Sequence, residues 1–170
     1  MKRSKWFERT FPPIEDFGVL PNILERLAGT PVRLSELIHE LNVETLEFKH
    51  DGRWSIKEEI GHLADLEPLW LGRVEDFLNG EKVLRTADLT NRRTHEANHN
   101  QTEIGVLLFD FRQQRSALVA KLRNLPDEIL RQSALHPRLQ SPMRVVDHAF
   151  FVAEHDDHHI SAVREIIDRR

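Results

Sequence analysis

Residues 54–77 read WSIKEEIGHLADLEPLWLGRVEDF, and the fold follows from this stretch. Ser55 with Glu58 three residues on is a capping-box pair, and Trp54 stands ahead of it where a hydrophobic staple packs. Ile56, Ile60, Leu63, Trp70, Val74 and Phe77 then share one face at helical spacing. Asn79-Gly80 supplies the stop, because glycine takes up the left-handed backbone that ends a helix. The spacing predicts one long amphipathic helix.

The same period recurs on both sides. Upstream, Thr30-Pro31 reads as an N-cap followed by proline at the first helical position, with Leu34, Leu37, Ile38 and Leu41 on one face behind it. Downstream, a stripe of Ile104, Leu107, Leu108, Phe111, Leu118, Leu122 and Leu125 starts near Thr102 and lasts until Pro126. Ser141-Pro142 repeats the cap-plus-proline signal for a last helix reaching about Asp168. Shorter helical pieces are expected at Pro21–Leu27 and Pro126–Leu130. No stretch alternates well enough to predict a strand, and no internal repeat is present. The expectation is an all-α fold: a four-helix bundle over residues 30–170, with residues 1–29 as an N-terminal extension packing on it. The polar connection from Gly80 to Gln101 is expected to be a long crossover between the second and third helices. Loops of that length in a small domain usually serve function or topology.

Composition narrows the function classes. The chain has 170 residues, enough for one domain with a core. Leu, Ile, Val and Phe account for 52 of them, which excludes a disordered polymer. Lys plus Arg number 24 against 28 Asp plus Glu, so the net charge of −4 argues against a nucleic-acid binder. The basic pieces at Lys2–Lys5, Arg92-Arg93 and Arg169-Arg170 are scattered and read as solvated surface. No apolar run is long enough for a membrane span. The N-terminal MKRSKWFERTFPP is basic without an apolar signal core, so a cytoplasmic setting is expected. There is no cysteine, hence no disulfide, no zinc-thiolate site and no thiol nucleophile from the protein itself.

Ten histidines are many for this length, and their placement carries the chemistry. In His155-Asp156-Asp157-His158-His159 the first and last are i and i+4, so both imidazoles leave one helix face a turn apart and suit a shared metal ion. That face also carries His148, Val152, Ala162, Val163 and Ile166, so it is the inward one. Asp156 and Asp157 point elsewhere, to solvent or to a supporting role. His62, on the flank of the second helix, is the natural third ligand. Three histidines with a position left for water make a catalytic rather than a closed structural arrangement. Glu59, one turn before His62, and Glu67, inside the apolar stripe, are candidates to orient a ligand or carry a proton. His148 and His158 are candidate substrate contacts; His148 can also be read as a fourth ligand, and better as a ligand's partner or a core histidine. Inward histidines satisfied by backbone carbonyls alone would account for the same spacing.

His95-Glu96-Ala97-Asn98-His99 matches the zinc-protease pattern H-E-x-x-H letter for letter. Such a segment belongs on a buried helix, whereas Asn91-Arg92-Arg93-Thr94 and Asn100-Gln101-Thr102 flank this one and give it no apolar face. It reads as a polar turn of the crossover, with His95 and His99 able to contact a substrate over the site.

Trp54-Ser55-Ile56-Lys57-Glu58-Glu59-Ile60-Gly61-His62-Leu63-Ala64-Asp65-Leu66-Glu67 resembles the W-S-x-x-E-x-x-x-H-L-x-x-x-E segment of the DinB-like superfamily. Ala153-Glu154-His155-Asp156-Asp157-His158-His159 resembles its C-terminal H-x-x-x-H segment. Helix order and the gap between the segments also match, over roughly Thr30 to the C-terminus. The resemblance implies a four-helix bundle with a divalent metal ion, nickel or zinc among others, on His62, His155 and His159. It implies thiol-dependent S-transfer with a low-molecular-weight thiol such as bacillithiol or mycothiol, or metal-dependent hydrolysis, on a small-molecule substrate, and a homodimer. The crossover from Thr94 to Gln101 matches no subfamily and leaves the substrate class open. Two readings compete with an enzyme: a metal-stabilised small-ligand-binding module without turnover, and a dimerising scaffold.

Overall fold

A computed structural model describes residues 3–169; Met1, Lys2 and Arg170, and with them part of the basic pieces, lie outside the described residues. Four long helices carry the fold: α1 (Leu20–Ile38), α3 (Ile56–Leu78), α5 (Ile104–Arg123) and α7 (Val145–Ile167). The short helices α2 (Val43–Glu47), α4 (Arg92–Glu96) and α6 (Asp127–Leu130) lie in the connections. Strands β1 (Ser133–His136) and β2 (Ser141–Arg144) pair antiparallel ahead of α7, with Ser133 opposite Arg144 and His136 opposite Ser141.

The core has two apolar clusters, one at each end of the bundle. One gathers Leu20–Leu27 of α1, Trp70–Phe77 of α3, Leu118–Leu122 of α5 and Val145–Ala153 of α7. The other gathers Leu34 and Ile38, Ile56–Ala64, Leu107 and Phe111, and Val163. Chain direction follows: α1 and α7 run one way, α3 and α5 the other. α1 packs on α5 and α7, and α3 packs on the same two. The parallel neighbours α3 and α5 are therefore joined by a connection that must return the full length of the bundle, residues 79–103. Its first part is tied to β1, Leu84 N–H donating to Leu135 O at 3.0 Å and Leu135 N–H to Lys82 O at 2.8 Å.

α3 begins as expected. Ser55 Oγ accepts from Glu58 N and the Glu58 carboxylate accepts from Ser55 N, closing both halves of the capping box. It ends at Leu78, with Gly80 at φ 69° beyond it. α5 and α6 also fall where the stripe and Pro126 place them.

Two helix starts differ from expectation. Thr30-Pro31 does not open α1; the helix starts at Leu20, runs unbroken past residues 29 and 30, and contains Pro31. A proline inside a helix deprives the carbonyl four residues earlier of its partner. That carbonyl is Leu27 O, and the Arg115 guanidinium of α5 donates to it at 3.2 Å. The tertiary structure thus absorbs the break that the local sequence announces. Ser141-Pro142 does not cap α7 either but opens β2, which with β1 and a bridge from Val83 to Leu135 departs from the expected all-helical chain. Pro142 sits on a two-stranded ribbon, where a missing N–H on the outer edge is tolerated. The cap comes three residues later: Asp147 accepts from Arg144 N at 2.9 Å.

Residues 3–19 lie along α7. Arg9 pairs with Glu154, Ile14 N–H donates to Asp147 at 2.7 Å, and Trp6, Phe11, Ile14 and Phe17 pack on the first apolar cluster. Among the described residues, no helix is long and apolar enough to cross a membrane.

Candidate metal centre

At mid-height, between the two clusters, all four long helices place buried polar residues: Thr30, Glu67, Arg115 and Asp156, with His155 and His159 beside them on α7. They form two separate groups.

The first is an ion network. Arg115, 1% exposed, donates to Glu67 Oε1 through Nε at 3.0 Å and Nη2 at 2.5 Å, and to Asp156 through both terminal nitrogens. Thr30 Oγ1 donates to Asp156 Oδ2 at 2.8 Å. One cation faces two carboxylates, so burial leaves the surplus negative charge poorly matched and pushes Glu67 up to about 7. The expected role of Glu67 beside the histidines is thus corrected: its partner is Arg115. Asp156, expected to point to solvent or to support a ligand, is fully buried against the same cation, while Asp157 pairs with Arg26 and Arg33 near the surface.

The second group is the histidine cluster. Antiparallel packing of α3 on α7 brings the first third of α3 to the second half of α7. One ring nitrogen each from His62, His155 and His159 then lies within 4.8 Å of the others, and all three residues are buried. His155 Nε2 and His159 Nε2 are 3.2 Å apart. Two imidazoles sharing one ion at ~2.0–2.1 Å from each would be spaced at roughly that distance. Burial, and then the neighbouring imidazoles, hold His62 and His155 well below the usual histidine range, and burial takes His159 down to about 3. At neutral pH all three are uncharged and offer lone pairs.

Neighbouring groups set which nitrogen is offered. Thr94 Oγ1 donates to Asp65 Oδ2 at 2.9 Å, so its oxygen is left to accept from His62 Nδ1 at 3.0 Å. This puts the His62 proton on Nδ1 and the lone pair on Nε2. Asp65 also receives Arg93 Nε at 3.0 Å and His99 Nε2 at 2.9 Å. Glu59 Oε2 lies 2.5 Å from His159 Nδ1. Burial raises the Glu59 carboxyl to about 8, opposed by Arg3, so Glu59 and His159 hold one proton between them. With that proton on Nδ1, the His159 lone pair faces His155, the form a cation at Nε2 selects. His155 Nδ1 is enclosed without a hydrogen-bond partner among the described residues. The donor set, three neutral imidazoles with carboxylate or hydroxyl partners behind two of them, fits a divalent transition-metal ion.

The cluster lines one part of a cavity of about 350 Å³. Trp6, Trp54, Trp70 and Phe151 give it aromatic walls, and Thr86–Leu89 of the crossover also line it. Trp54 packs on the histidine rings, its centroid 4.6 Å from that of His62, and Trp6 meets His155 edge-on at 5.0 Å.

The remaining histidines are distributed as follows. His158 lines the cavity and contacts Arg3 Nη1 at 2.7 Å. His148 does not reach the cavity: it is fully buried with Nε2 on the Trp70 carbonyl at 3.2 Å, a core histidine rather than a substrate contact. His95 is exposed, with only an edge contact to Trp54 at 5.8 Å. His99 is buried against Gly61, where an added Cβ would fall 2.3 Å from His99 Cγ. The left-handed Asn98, φ 53°, ends the helical turn between His95 and His99, so the H-E-x-x-H match makes no paired ligand face and neither histidine lines the cavity. Thr94, Asp65 and Arg115 escaped the sequence reading. Two carried a signal: Arg115 interrupts the apolar stripe between Phe111 and Leu118, and Asp65 lies one turn from His62.

No curated protein matches the chain. Among solved structures, YfiT from Bacillus subtilis superposes with a TM-score of 0.80 at 21% identity, over 94% of this chain and 93% of that one. YfiT is described as "a probable metal-dependent hydrolase with an unusual four-helix bundle topology"; at this identity the likeness shows a shared fold. The family model of the DinB superfamily matches residues 26–163, which takes in α3 and α5 whole, most of α1 and α7, and every residue of the histidine cluster. The chain therefore belongs to the DinB superfamily.

Proposed function

We propose that this protein is a divalent-metal-dependent enzyme that acts on a small molecule, with a thiol S-transfer as its reaction. The observation that carries the reading is the convergence of three neutral imidazoles on an aromatic-walled cavity large enough for an organic substrate. His62, His155 and His159 would hold the ion, nickel or zinc being compatible with an all-imidazole set. When bound, such an ion supplies Lewis acidity that lowers the pKa of a thiol or water at its open position. The protein's own residues do the rest. Thr94 and Glu59 fix the ring orientation of His62 and His159. Trp6, Trp54 and Trp70 keep bulk water from the reacting atoms. Glu59 is a positioning residue and holds the proton it shares with His159.

With no cysteine in the chain, the sulfur arrives on a low-molecular-weight co-substrate. The thiol loses its proton to solvent, its sulfur forms a bond to an electrophilic carbon, and the leaving group departs with the bonding pair. Hydrolysis is the second reading, favoured by the description of YfiT, and uses the same residues with water in place of the thiol. Homodimerisation and a cytoplasmic setting belong to the proposal as well, the former open to sedimentation measurements.

The test is to prepare the protein without metal, titrate nickel or zinc, and follow thiol conjugation to 1-chloro-2,4-dinitrobenzene alongside p-nitrophenyl acetate hydrolysis. Metal uptake near one ion per chain, lost in His155→Ala, and thiol-dependent turnover abolished by chelation are expected. Ester cleavage without conjugation would move the assignment to hydrolysis. A large chelator-induced fall in Tm without turnover would favour a binding module. Equal substoichiometric metal in wild type and variant would overturn the metal reading.

A further inference from the structure

The cavity that holds the histidine cluster is also lined by Arg73, His136 and Arg138. Arg73 lies eleven residues beyond His62 on α3, a rise of ~16 Å along the helix, so the two groups bound different parts of one space. Arg73 is 1% exposed, yet no carboxylate lies within ion-pairing distance of it among the described residues. Its Nε donates to Arg85 O at 3.1 Å and its Nη1 meets His136 Nε2 at 3.0 Å. Asp76, the acidic residue one turn on, is taken by Arg85 through both carboxylate oxygens. Arg138 packs its guanidinium over Phe7 and Phe151, at 5.3 and 5.9 Å, and its Nη2 is enclosed without a hydrogen-bond partner among the described residues.

These residues are short of acceptors. His136 Nδ1 faces the donating Leu139 N–H at 3.2 Å while Nε2 faces the donating Arg73. A neutral imidazole has one lone pair, so one of those two donors goes unanswered. Burial with Arg73 and Arg138 beside it takes His136 down to about 3, and burial takes Arg73 down to about 10. Asp88 also lines the cavity, but its oxygens accept from Thr90 N, Thr90 Oγ1 and Arg92 N at 2.6–2.9 Å. Two cations and a surplus donor thus face the cavity, and among the described residues no carboxylate is ion-paired with either cation. Buried charge in that condition is costly unless something pairs with it.

We propose that Arg73 and Arg138, with His136 between them, form an anion subsite that grips a carboxylate or phosphate of the substrate while the reactive end lies at the histidine cluster. The inference rests on the enzymatic reading of the cavity and adds the substrate class: a small organic molecule with an apolar body and an anionic group at one end. Arg donates to carboxylate and phosphate in the paired geometry both anions accept, and the aromatic rings would cover the body between.

All three tryptophans of the chain line the cavity, so their fluorescence reports occupancy. Hexanoate, hexyl phosphate and the uncharged hexanamide are titrated into chelator-treated protein and into chelator-treated His155→Ala. Either anion is expected to bind about tenfold or more tightly than hexanamide, the tighter of the two identifying the anion. Arg138→Gln, in the half-exposed turn between the strands, is expected to collapse that ratio to within twofold without weakening hexanamide. Arg73→Lys is expected to retain part of it. Hexanamide binding as tightly as both anions, or an unchanged ratio in Arg138→Gln, overturns the proposal. So does an anion preference that appears only when metal is present. Failure of the metal reading would show separately, as absent metal uptake, and leaves this measurement intact.

Discussion

Asp156 and His155 are neighbours on α7, and each belongs to a different buried polar group. Asp156 enters a network in which Arg115, Glu67, Thr30 and the Leu27 carbonyl answer one another. His155 enters a cluster in which three uncharged rings present lone pairs toward a shared space, with His155 Nδ1 unanswered. Both groups are closed to bulk water, so the difference is not one of burial. The network sets one cation against two carboxylates and joins the four helices, with Glu67 Oε2 left unanswered; the cluster holds uncharged donors and leaves room for a cation from outside. In one layer of one bundle, the group with a cation of its own marks structure, and the group of lone pairs without one marks the place for chemistry.

That contrast predicts opposite phenotypes. Arg115→Met strands two buried carboxylates and the Leu27 carbonyl, and should cost about 3–5 kcal/mol in denaturant unfolding; a loss below ~1 kcal/mol would mean the network is not what joins the helices. His155→Gln keeps the volume and removes the imidazole. Metal affinity should fall by more than the ~10–100-fold that a ligand's partners carry, while chelated protein unfolds within ~1 kcal/mol of wild type. If His155→Gln destabilises the metal-free protein as much as Arg115→Met does, the cluster is a structural device and the contrast fails. Thr94→Val leaves His62 Nδ1 without its acceptor, and should weaken metal binding by ~10-fold with every ligand present, read by competition against a chromophoric chelator.

The last effect is on pH. His148 is fully buried and held at about 3, below its unfolded value of ~6.5. Because the folded value is the lower one, its contribution is complete above ~6.5 and is lost as pH falls from there toward 3. The slope approaches ~1.4 kcal/mol per unit between those two values for a lone site. His148→Leu should flatten the acid limb of stability against pH, and an identical limb in the variant would assign acid loss to the other histidines.

Much of the molecule was legible because its signals are local. Ser55 with Glu58, and Asn79-Gly80, act within one turn, and the apolar face between them needs no partner to be recognised. His155 and His159 are one turn apart, and the motif around His62 supplied the third ring. Thr30-Pro31 misled because the residue that satisfies Leu27 O, Arg115, is 88 positions away in sequence. Ser141-Pro142 misled because a cap-plus-proline pair also suits a ribbon edge, and Asp147 was the better cap. Thr94 and Arg73 matter through partners 32 and 63 positions distant, His62 and His136, a relation that no spacing rule reaches.

The crossover divides its labour along its length. Residues 86–91 help wall the cavity, whereas Thr94, His99 and Asn100 are bolted to α3 at His62, Asp65, Gly61 and Ser55. A library randomised over residues 86, 87, 89 and 91 would re-shape the chamber and leave Asp88, which holds Arg92 N, and the contacts behind His62 in place, so the cavity wall can change, by selection or in the laboratory, without disturbing the histidine cluster.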